Sequence, residues 1–418
     1  MVNNMLTKTR KVVLIDAGID TAEEALQETC ELIAACDMEL IDIWRQRLKE
    51  INHLSFIGSG KVEEFGECLK QYDADMIIFQ QPLSSLQANY LSEAWDIAVI
   101  DRSELIIEIF ENRSHTQEAK LQVRKAKTKK QLSRLIGKTK SLGRQGGGRN
   151  KGSGEKQLEL NRRVLKQRIR ECVRQIDALK KQHSLQYQRR SKQRIPVVAL
   201  IGYTNAGKST LINALLTQNR RASQKHVSAK DCLFSTLDTA MRRISLPYAP
   251  DILIVDTVGF VSNLPHELID AFHATLDEVR HADYLLHVID HSSTMRQAQI
   301  EATLTTLETL NAQGIPRIDV YNKCDLSDIS YPKACNDAVY ISAEQEASVL
   351  FLSDKLAEAI YGPLVAVTFV LPHEKSAHLA AVLSHLKLTA QENRTSDVVL
   401  HGFMRKMLIS DYVNYVKF

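Results

Sequence analysis

The residues best suited to chemistry form a glycine-rich loop near the middle of the chain. The loop reads GxxxxGKS from Gly202 to Ser209, and it stands between a short apolar run and a helical stretch that starts near Ser209. Glycines let the backbone fold closely around phosphate oxygens, while N–H groups and the positive end of the following helix point at the negative charge. The pattern predicts a nucleotide site in which Lys208 contacts the β- and γ-phosphates and Ser209 holds Mg²⁺. The residues expected to contact nucleotide are Gly202, Tyr203, Thr204, Asn205, Ala206, Gly207, Lys208, Ser209 and Thr210.

A second motif follows the apolar run at 252–255. It reads DTVG from Asp256 to Gly259, so the carboxylate of Asp256 can bind Mg²⁺ through water and the amide of Gly259 can sense the γ-phosphate. Phe260 comes next, where Ras-type GTPases place the glutamine that orients the attacking water. An apolar ring cannot do this, so the sequence predicts slow intrinsic hydrolysis and a site that a partner completes.

Two more motifs supply recognition of the base. One apolar stretch leads into Asn322, Lys323 and Asp325, and the next leads into Ser342 and Ala343. The carboxylate of Asp325 can accept hydrogen bonds from N1 and N2 of guanine, which specifies GTP. Ligands bind beyond the carboxyl ends of parallel strands, so the repeated order of strand then motif places every motif on one rim. Each motif alone could be a surface turn, but their order along the chain favours a GTP site.

Three residues are expected to act in catalysis: Lys208, Thr236 and Gly259. Thr236 would close on Mg²⁺ and the γ-phosphate, so the predicted metal ligands are Ser209 and Thr236. The alternative is that Thr236 is an ordinary strand threonine. Asn205 resembles the asparagine by which potassium-dependent GTPases hold a monovalent cation, and K⁺ is therefore a further hypothesis.

Charge is distributed very unevenly along the chain. The segment from Glu111 to Ile195 holds 26 Lys plus Arg and 6 Asp plus Glu, whereas the rest holds 28 basic and 44 acidic side chains. Like charges at this density repel one another unless a polyanion neutralises them. Nucleic acid is the leading candidate for that polyanion, and a solvated helical linker is the alternative.

The basic segment is predicted to form a helical hairpin with a glycine-rich tip. Residues 143–154 include six glycines and are expected not to be helical. The basic residues of the tip, Arg144, Arg149 and Lys151, are the predicted RNA contacts, since glycines allow close backbone approach. The segment has one aromatic residue, Tyr187, which favours folded RNA over a single strand. The apolar stripes of the arms are Leu165, Ile169, Cys172, Ile176 and Leu179 in the second and Leu121, Leu132, Leu135 and Ile136 in the first.

These patterns predict a multidomain α/β protein with four parts. The parts are an N-terminal α/β domain at 1–112, the basic hairpin at 113–194, a P-loop GTPase domain at 195–361 and a small α+β domain at 362–418. In the first domain, strands are expected at 12–15, 76–79 and 97–100. The glycines at Gly58 and Gly60 are interpreted as a turn that starts a helix rather than as a second phosphate loop.

Cysteine usage and hydropathy indicate the compartment. The seven cysteines include no C-x-x-C pair and no histidine pairing accompanies them, which argues for free thiols in a reducing compartment and against zinc. No apolar run approaches membrane-spanning length, and the basic N-terminal stretch lacks the long apolar run of a signal peptide. We expect a cytoplasmic protein with no membrane span, and a monomer.

With these motifs in place, the chain resembles the HflX family of translational GTPases over nearly its full length. The resemblance implies the four-part architecture above, GTP-dependent binding to the large ribosomal subunit and splitting of stalled 70S ribosomes. It also implies that the hairpin tip reaches toward the peptidyl-transferase centre of the 23S rRNA. The matching segments are FIGSGKVEE at 56–64, DRS at 101–103, KLQV at 120–123, RQGGG at 144–148, QLEL at 157–160, GYTNAGKST at 202–210, DTVGF at 256–260 and NLPH at 263–266.

Two stretches depart from the family pattern, and both add positive charge. They are 124–130, where an apolar and partly acidic continuation is usual, and 149–156 in the glycine-rich tip. Three functions therefore remain open: a GTP-driven ribosome-dissociating enzyme, a GTP-gated rRNA-binding assembly or checkpoint factor without splitting activity, and a signalling switch that the basic hairpin tethers.

The base site yields a testable prediction. Asp325→Asn should weaken GTP binding and favour xanthosine nucleotide. A carboxylate that accepts from two guanine donors should favour guanine over a base that lacks them by on the order of a few kcal/mol, similar to the penalty for leaving buried donors unpaired. Nucleotide titration measures this. A variant that binds GTP as tightly as the parent would show that the base site lies elsewhere.

Overall fold

The computed structural model describes residues 9–19, 23–142, 151–191, 195–218, 241–257, 259–260, 279–373 and 377–417. Within these ranges the chain forms two compact units, one that reaches to Gln186 and one that starts at Tyr187. Each unit combines helices with a parallel or mainly parallel sheet, which confirms the predicted multidomain α/β class. In the described ranges, every helix is too short or too polar to cross a membrane.

The first unit begins with a four-stranded parallel sheet in the order β2-β1-β3-β4. Its strands are β1 (Lys11–Gly18), β2 (Glu39–Arg47), β3 (Met76–Phe79) and β4 (Ala98–Asp101). Helices α1 (Glu23–Ala35), α2 (Ser59–Leu69) and α3 (Ser85–Trp95) connect the strands, and α4 (Arg102–Arg113) follows β4. The expected strands at 12–15, 76–79 and 97–100 are confirmed. The sequence pattern does not predict β2, because Asp42 interrupts its apolar residues and they do not alternate.

The glycines before α2 form a turn. Gly58 is the N-cap of α2, and a Cβ added at Gly58 or Gly60 would meet no atom within 4 Å. A phosphate cradle needs glycine because the backbone approaches other atoms closely. The open surroundings here fit the interpretation of an ordinary helix start.

Two long helices follow, α5 (Gln117–Leu142) and α6 (Lys151–Ser191), and α6 belongs to the first unit as far as Gln186. Leu121 of α5 packs in one apolar cluster with Cys172 and Ile176 of α6, and Leu179 lies against that cluster. Cys172, Ile176 and Leu179 of the predicted second-arm stripe therefore face the first arm, as their spacing predicts, whereas Leu165 and Ile169 are not part of this cluster.

One expectation about the tip is wrong. The stretch 143–154 was expected to lack helix throughout, but α6 already begins at Lys151 and includes Gly152 and Gly154. The first four N–H groups of any helix lack partners within it, and a glycine costs only about 1 kcal/mol in a helix, so a helix of 41 residues can extend through two glycines. Residues 143–150, with Arg144 and Arg149, lie outside the described residues.

Ion pairs also attach the first arm to the N-terminal sheet. Arg134 of α5 lies 2.9 Å from the Glu104 carboxylate and donates a 2.6 Å hydrogen bond to the carbonyl of Val99. Asn89 donates to the carbonyl of Arg134 at 2.8 Å, and the Lys130 ammonium lies 3.0 Å from the buried carboxylate of Asp101. The middle of α5 is thus bonded to α3, α4 and β4.

The second unit contains a seven-stranded sheet in the order β10-β11-β9-β8-β5-β7-β6. Strands β11, β9, β8, β5 and β7 run parallel, and the edge strands β6 and β10 run antiparallel to their neighbours. The loops after β5, β7, β9 and β11 consequently share one rim. The strands are β5 (Val197–Ile201), β6 (Met241–Ile244), β7 (Ile252–Val255), β8 (Tyr284–Asp290), β9 (Arg317–Asn322), β10 (Lys333–Cys335) and β11 (Ala338–Tyr340).

Helices α7 (Lys208–Thr217), α8 (Arg296–Thr309) and α9 (Glu346–Tyr361) accompany this sheet. Leu211 and Leu215 of α7 and Leu352 and Leu356 of α9 are buried with the apolar residues of β5 and β8 in one core. This packing fixes the start of α7, where the glycine-rich loop ends.

The chain ends in a four-stranded antiparallel sheet in the order β13-β14-β12-β15. Its elements are β12 (Leu364–Pro372), α10 (Ala377–His385), β13 (Lys387–Asn393), β14 (Asp397–Arg405), a 3-10 helix (Lys406–Tyr415) and β15 (Val416–Lys417). Phe369, Leu400 and Met404 belong to the same apolar core as α7 and α9. The buried Arg405 forms an ion pair with Asp354 of α9. The boundary after 361 therefore remains a prediction, because one core spans it.

Candidate nucleotide-binding site

The glycine-rich loop joins β5 to α7 and requires glycine at two positions. Gly202 has a φ of +144°, and a Cβ there would lie 2.1 Å from the carbonyl oxygen of Val288. Gly207 has a φ of +90°, and a Cβ there would lie 2.2 Å from Nδ2 of Asn322. Asn205 also has a positive φ, of 62°, which asparagine tolerates better than most residues. The loop is held close to β8 and β9 by these approaches.

Lys208 lies at the start of α7 and is buried together with Ser209. Its ammonium donates hydrogen bonds to the carbonyls of Gly202 at 2.9 Å and Tyr203 at 2.6 Å. Burial lowers the pKa of Lys208 to about 8, and the nearby carboxylate of Asp256 opposes that shift. A desolvated ammonium at the beginning of a helix is suited to binding phosphate, because an anion placed there restores the solvation that the lysine has lost.

The DTVG motif lies directly against the loop. Asp256 is buried after β7, and Thr257 donates a hydrogen bond to the carbonyl of Leu200. A Cβ on Gly259 would lie 2.8 Å from Cα of Thr204 and 2.9 Å from Nζ of Lys208. The motif thus brings a glycine beside the lysine ammonium, while Val258 lies outside the described residues.

Phe260 pairs with the loop through its backbone. The N–H of Thr204 donates to the carbonyl of Phe260 at 2.8 Å, and the N–H of Phe260 donates to the carbonyl of Gly202 at 3.1 Å. The Phe260 side chain is 2% exposed. A buried hydrocarbon ring has no group with which to orient a water molecule, which supports the expectation of slow intrinsic hydrolysis.

The side-chain amide of Asn322 joins the phosphate loop to the base loop. Its Nδ2 donates to the carbonyl of Ala206 at 3.0 Å, and its Oδ1 accepts from the N–H of Ala343 at 2.9 Å. Asn322 is buried, as are Ser342 and Ala343. Residues from three separate loops therefore meet at one side chain.

Lys323 and Asp325 complete the predicted base site. Lys323 has a φ of 59°, and its ammonium lies 2.8 Å from the carboxylate of Asp290 at the end of β8. Asp325 is exposed in the short 3-10 helix Cys324–Leu326. Sequence reasoning missed Asp290. Its position directly after the apolar run 284–289, which is not among the strands predicted from sequence, is the signal that could have found it.

Two buried hydroxyls of the site have no partner among the described residues. Oγ1 of Thr204 and Oγ of Ser342 find no hydrogen-bond partner in the part of the chain that the structure describes. Buried polar groups are nearly always paired in folded proteins. Their presence on the same rim fits a site that completes its polar contacts with a ligand.

The structure brings most of the predicted site residues together, with four exceptions. Thr236, Arg144 and Arg149 lie outside the described residues. Lys151 is the first residue of α6, in the unit that does not contain the nucleotide site.

The phosphate loop, the DTVG segment and the Asn322–Asp325 segment on one rim of a mainly parallel sheet define a P-loop GTPase domain. Family comparisons agree along three consecutive parts of the chain. Residues 23–111 match the GTP-binding GTPase N-terminal model, residues 113–190 match the GTP-binding GTPase middle region, and residues 197–323 match the 50S ribosome-binding GTPase model.

Curated relatives identify the family. GTPase HflX of Caldanaerobacter subterraneus subsp. tengcongensis is 39% identical over 370 residues, which cover 88% of this chain and 85% of the relative. GTPase HflX of Escherichia coli K12 is 38% identical over 363 residues, which cover 85% and 84%. The chain belongs to the HflX family of GTPases. A solved GTP-binding protein from Sulfolobus solfataricus in complex with GDP is 20% identical, with a TM-score of 0.46 over 83% of this chain and all of that one.

The pKa of Lys208 leads to a prediction for nucleotide binding. Bound phosphates should raise the pKa of this ammonium above its value of about 8 in the free protein. At pH values between the pKa of Lys208 in the free protein and its pKa in the complex, nucleotide binding therefore takes up a proton. In that range the affinity for nucleotide falls by up to about tenfold per pH unit as pH rises. Calorimetry of GDP binding in two buffers with different ionisation enthalpies measures the uptake.

We expect close to one proton at about pH 9 and almost none near pH 7, where Lys208 is charged in both states. Equal uptake at the two pH values would contradict this. The same depressed pKa means that the unfolded chain binds more protons between about pH 8 and about 10.4, so the ligand-free protein should gain stability as pH rises through that window.

Proposed function

We propose that this HflX-family GTPase binds the large ribosomal subunit in its GTP form and dissociates stalled 70S ribosomes, in the cytoplasm and as a monomer. Hydrolysis of GTP to GDP and phosphate then releases it. The observation that carries the proposal is the match of 197–323, the part that contains the nucleotide site, to a family of 50S ribosome-binding GTPases. The hairpin segment holds 26 basic and 6 acidic residues, and this excess supplies the positive charge that rRNA binding needs.

Each part of the nucleotide has a candidate partner on the rim. Lys208 binds the β- and γ-phosphates, and the amide of Gly259 contacts the γ-phosphate close to that lysine. Asp325 accepts from guanine, while Lys323, held by Asp290, covers the base. A Cβ added to Gly259 would lie 2.9 Å from Nζ of Lys208. Loss of the γ-phosphate bound by that lysine therefore changes the contacts of the segment that carries Phe260.

Mg²⁺ fits the oxygen donors at this place. Ser209 is buried at the start of α7, and Asp256 is buried near the ammonium of Lys208. Hydroxyl and carboxylate oxygens are the ligands that Mg²⁺ prefers, and the ion keeps several waters. When bound, Mg²⁺ neutralises charge on the β- and γ-phosphate oxygens. Asn205 is exposed on the loop, so its side chain is accessible for a K⁺ ion beside the phosphates.

Sedimentation of 70S particles tests the proposed function. Excess protein with non-hydrolysable GTP should convert 70S particles into separate subunits, with the protein on the large subunit. The Lys208→Ala variant is the control, since it should lose nucleotide-dependent splitting. Protein bound to intact particles would favour the assembly or checkpoint factor, and absence of binding would favour the tethered switch.

Hydrolysis should be slow without a partner. In single-turnover assays, we expect large subunits or 70S particles to raise the hydrolysis rate at least about a hundredfold, because Phe260 cannot orient water. This is less than the roughly 10³–10⁵-fold increase that partners supply in other GTPases. Hydrolysis should be faster in K⁺ than in Na⁺ at equal ionic strength, and Asn205→Ala should remove that difference in rate. Fast hydrolysis by the isolated protein would contradict a partner-completed site, and equal rates in the two salts would remove the role given to Asn205.

A further inference from the structure

The cations of the hairpin segment fall into two groups. Those of α5 that face the N-terminal sheet are paired within the protein. They are Lys127 with Glu111, Lys130 with Asp101 and Arg134 with Glu104. These side chains attach the arm to its own domain, so they are not available to neutralise RNA.

The cations of α6 are different. Arg162, Arg163, Lys166, Arg168 and Arg170 are all exposed, and none makes an ion pair with any residue that the structure describes. Further along the helix, Arg174 is bonded to Glu171 of the same helix. The stretch 162–170 therefore carries five positive charges that form no ion pair within the described part of the chain.

Three of these cations share one face of the helix. Arg163, Lys166 and Arg170 are three and four residues apart, which aligns them along a single side. The side lies away from Cys172 and Ile176, the residues that contact α5. With a rise of 1.5 Å per residue, Arg163 stands about 18 Å along the helix from Lys151. The face is thus separate from the tip.

We propose that Arg163, Lys166 and Arg170 form a phosphate-binding track that contacts the sugar-phosphate backbone of rRNA in the large ribosomal subunit, beside the hairpin tip. The inference rests on the proposed function. Arginine forks bind phosphate in a bidentate manner, and such contacts position a protein on nucleic acid without reading sequence. The track has no aromatic side chain for base stacking, which favours a backbone over unstacked bases.

A protein partner is the competing occupant. Leu160 and Val164 are 53% and 47% exposed on a neighbouring side of α6 and could support an apolar contact. The charge density favours RNA, because repulsion among unpaired cations is relieved most by a polyanion.

The test is pelleting with purified large ribosomal subunits across a salt series. The variant carries Arg163→Gln, Lys166→Gln and Arg170→Gln, and its helix content and GTP affinity are measured in parallel. We expect at least tenfold weaker pelleting at low salt and a salt slope reduced by about two to three, since each lost phosphate contact removes about 0.7 to 0.9. GTP affinity should not change.

Two matched controls define the outcome. Lys49→Gln, Lys70→Gln and Lys387→Gln remove the same charge from exposed positions outside the hairpin and should leave pelleting unchanged. Arg163→Lys with Arg170→Lys keeps the charge and should restore most of the slope. Equal losses in the charge-matched control would overturn the proposal, because net charge rather than the track would then be responsible.

The remaining outcomes separate this proposal from the proposed function. If the unmodified protein pellets with a steep slope and the triple variant matches it, the track is wrong while ribosome binding stands. If pelleting weakens without a change in slope, and Leu160→Ala with Val164→Ala weakens it equally, the face binds protein and the RNA track is wrong. If the unmodified protein does not pellet, the proposed function and the track are both wrong.

Discussion

The side-chain amide of Asn322 is the contact on which the nucleotide site depends. It donates to the phosphate loop and accepts from the loop after β11, at 3.0 and 2.9 Å. The amide is buried, so neither hydrogen bond can be replaced by water without opening the core. Recognition of the phosphates and recognition of the base are therefore held in a fixed geometry by one side chain.

Several other features follow from that constraint. Gly207 must be glycine because Nδ2 of Asn322 occupies the space of a Cβ. Asn322 can reach both loops because β9 lies next to β11 on one side and next to β8, the neighbour of β5, on the other, and because these strands run parallel. Lys208 is left with little solvent at the start of α7, which lowers its pKa and prepares the loop for an anion. The fold thus produces a phosphate site around a buried and largely desolvated ammonium.

Much of this site could be predicted from sequence because its parts are local. The phosphate loop, the DTVG segment and the Asn322–Asp325 segment each follow a short apolar strand, and parallel strands bring their ends to one rim. The pairing of Lys323 with Asp290 could not be predicted in the same way. It joins residues 33 positions apart in the sequence, and their distance depends on the register between β8 and β9.

The role of each charge in the hairpin could likewise not be predicted from sequence. The excess of basic residues indicates a polyanionic partner, but composition does not distinguish a cation that is paired within the protein from one that is not. Lys130 and Arg134 are bonded to acidic residues of the N-terminal sheet and α4, whereas Arg163 and Arg170 are exposed on α6. The start of α6 at Lys151 could not be predicted either, because Gly152 and Gly154 lower the helix propensity of that stretch.

The measurement that tests the central constraint most directly is calorimetric titration of the parent protein and Asn322→Ala with GDP, ADP and pyrophosphate. If the amide couples the two loops, the variant should lose at least tenfold in pyrophosphate affinity and most of its preference for GDP over ADP, since about 1.4 kcal/mol corresponds to tenfold. A variant that keeps the parent's affinity for pyrophosphate and its preference for GDP would contradict the account.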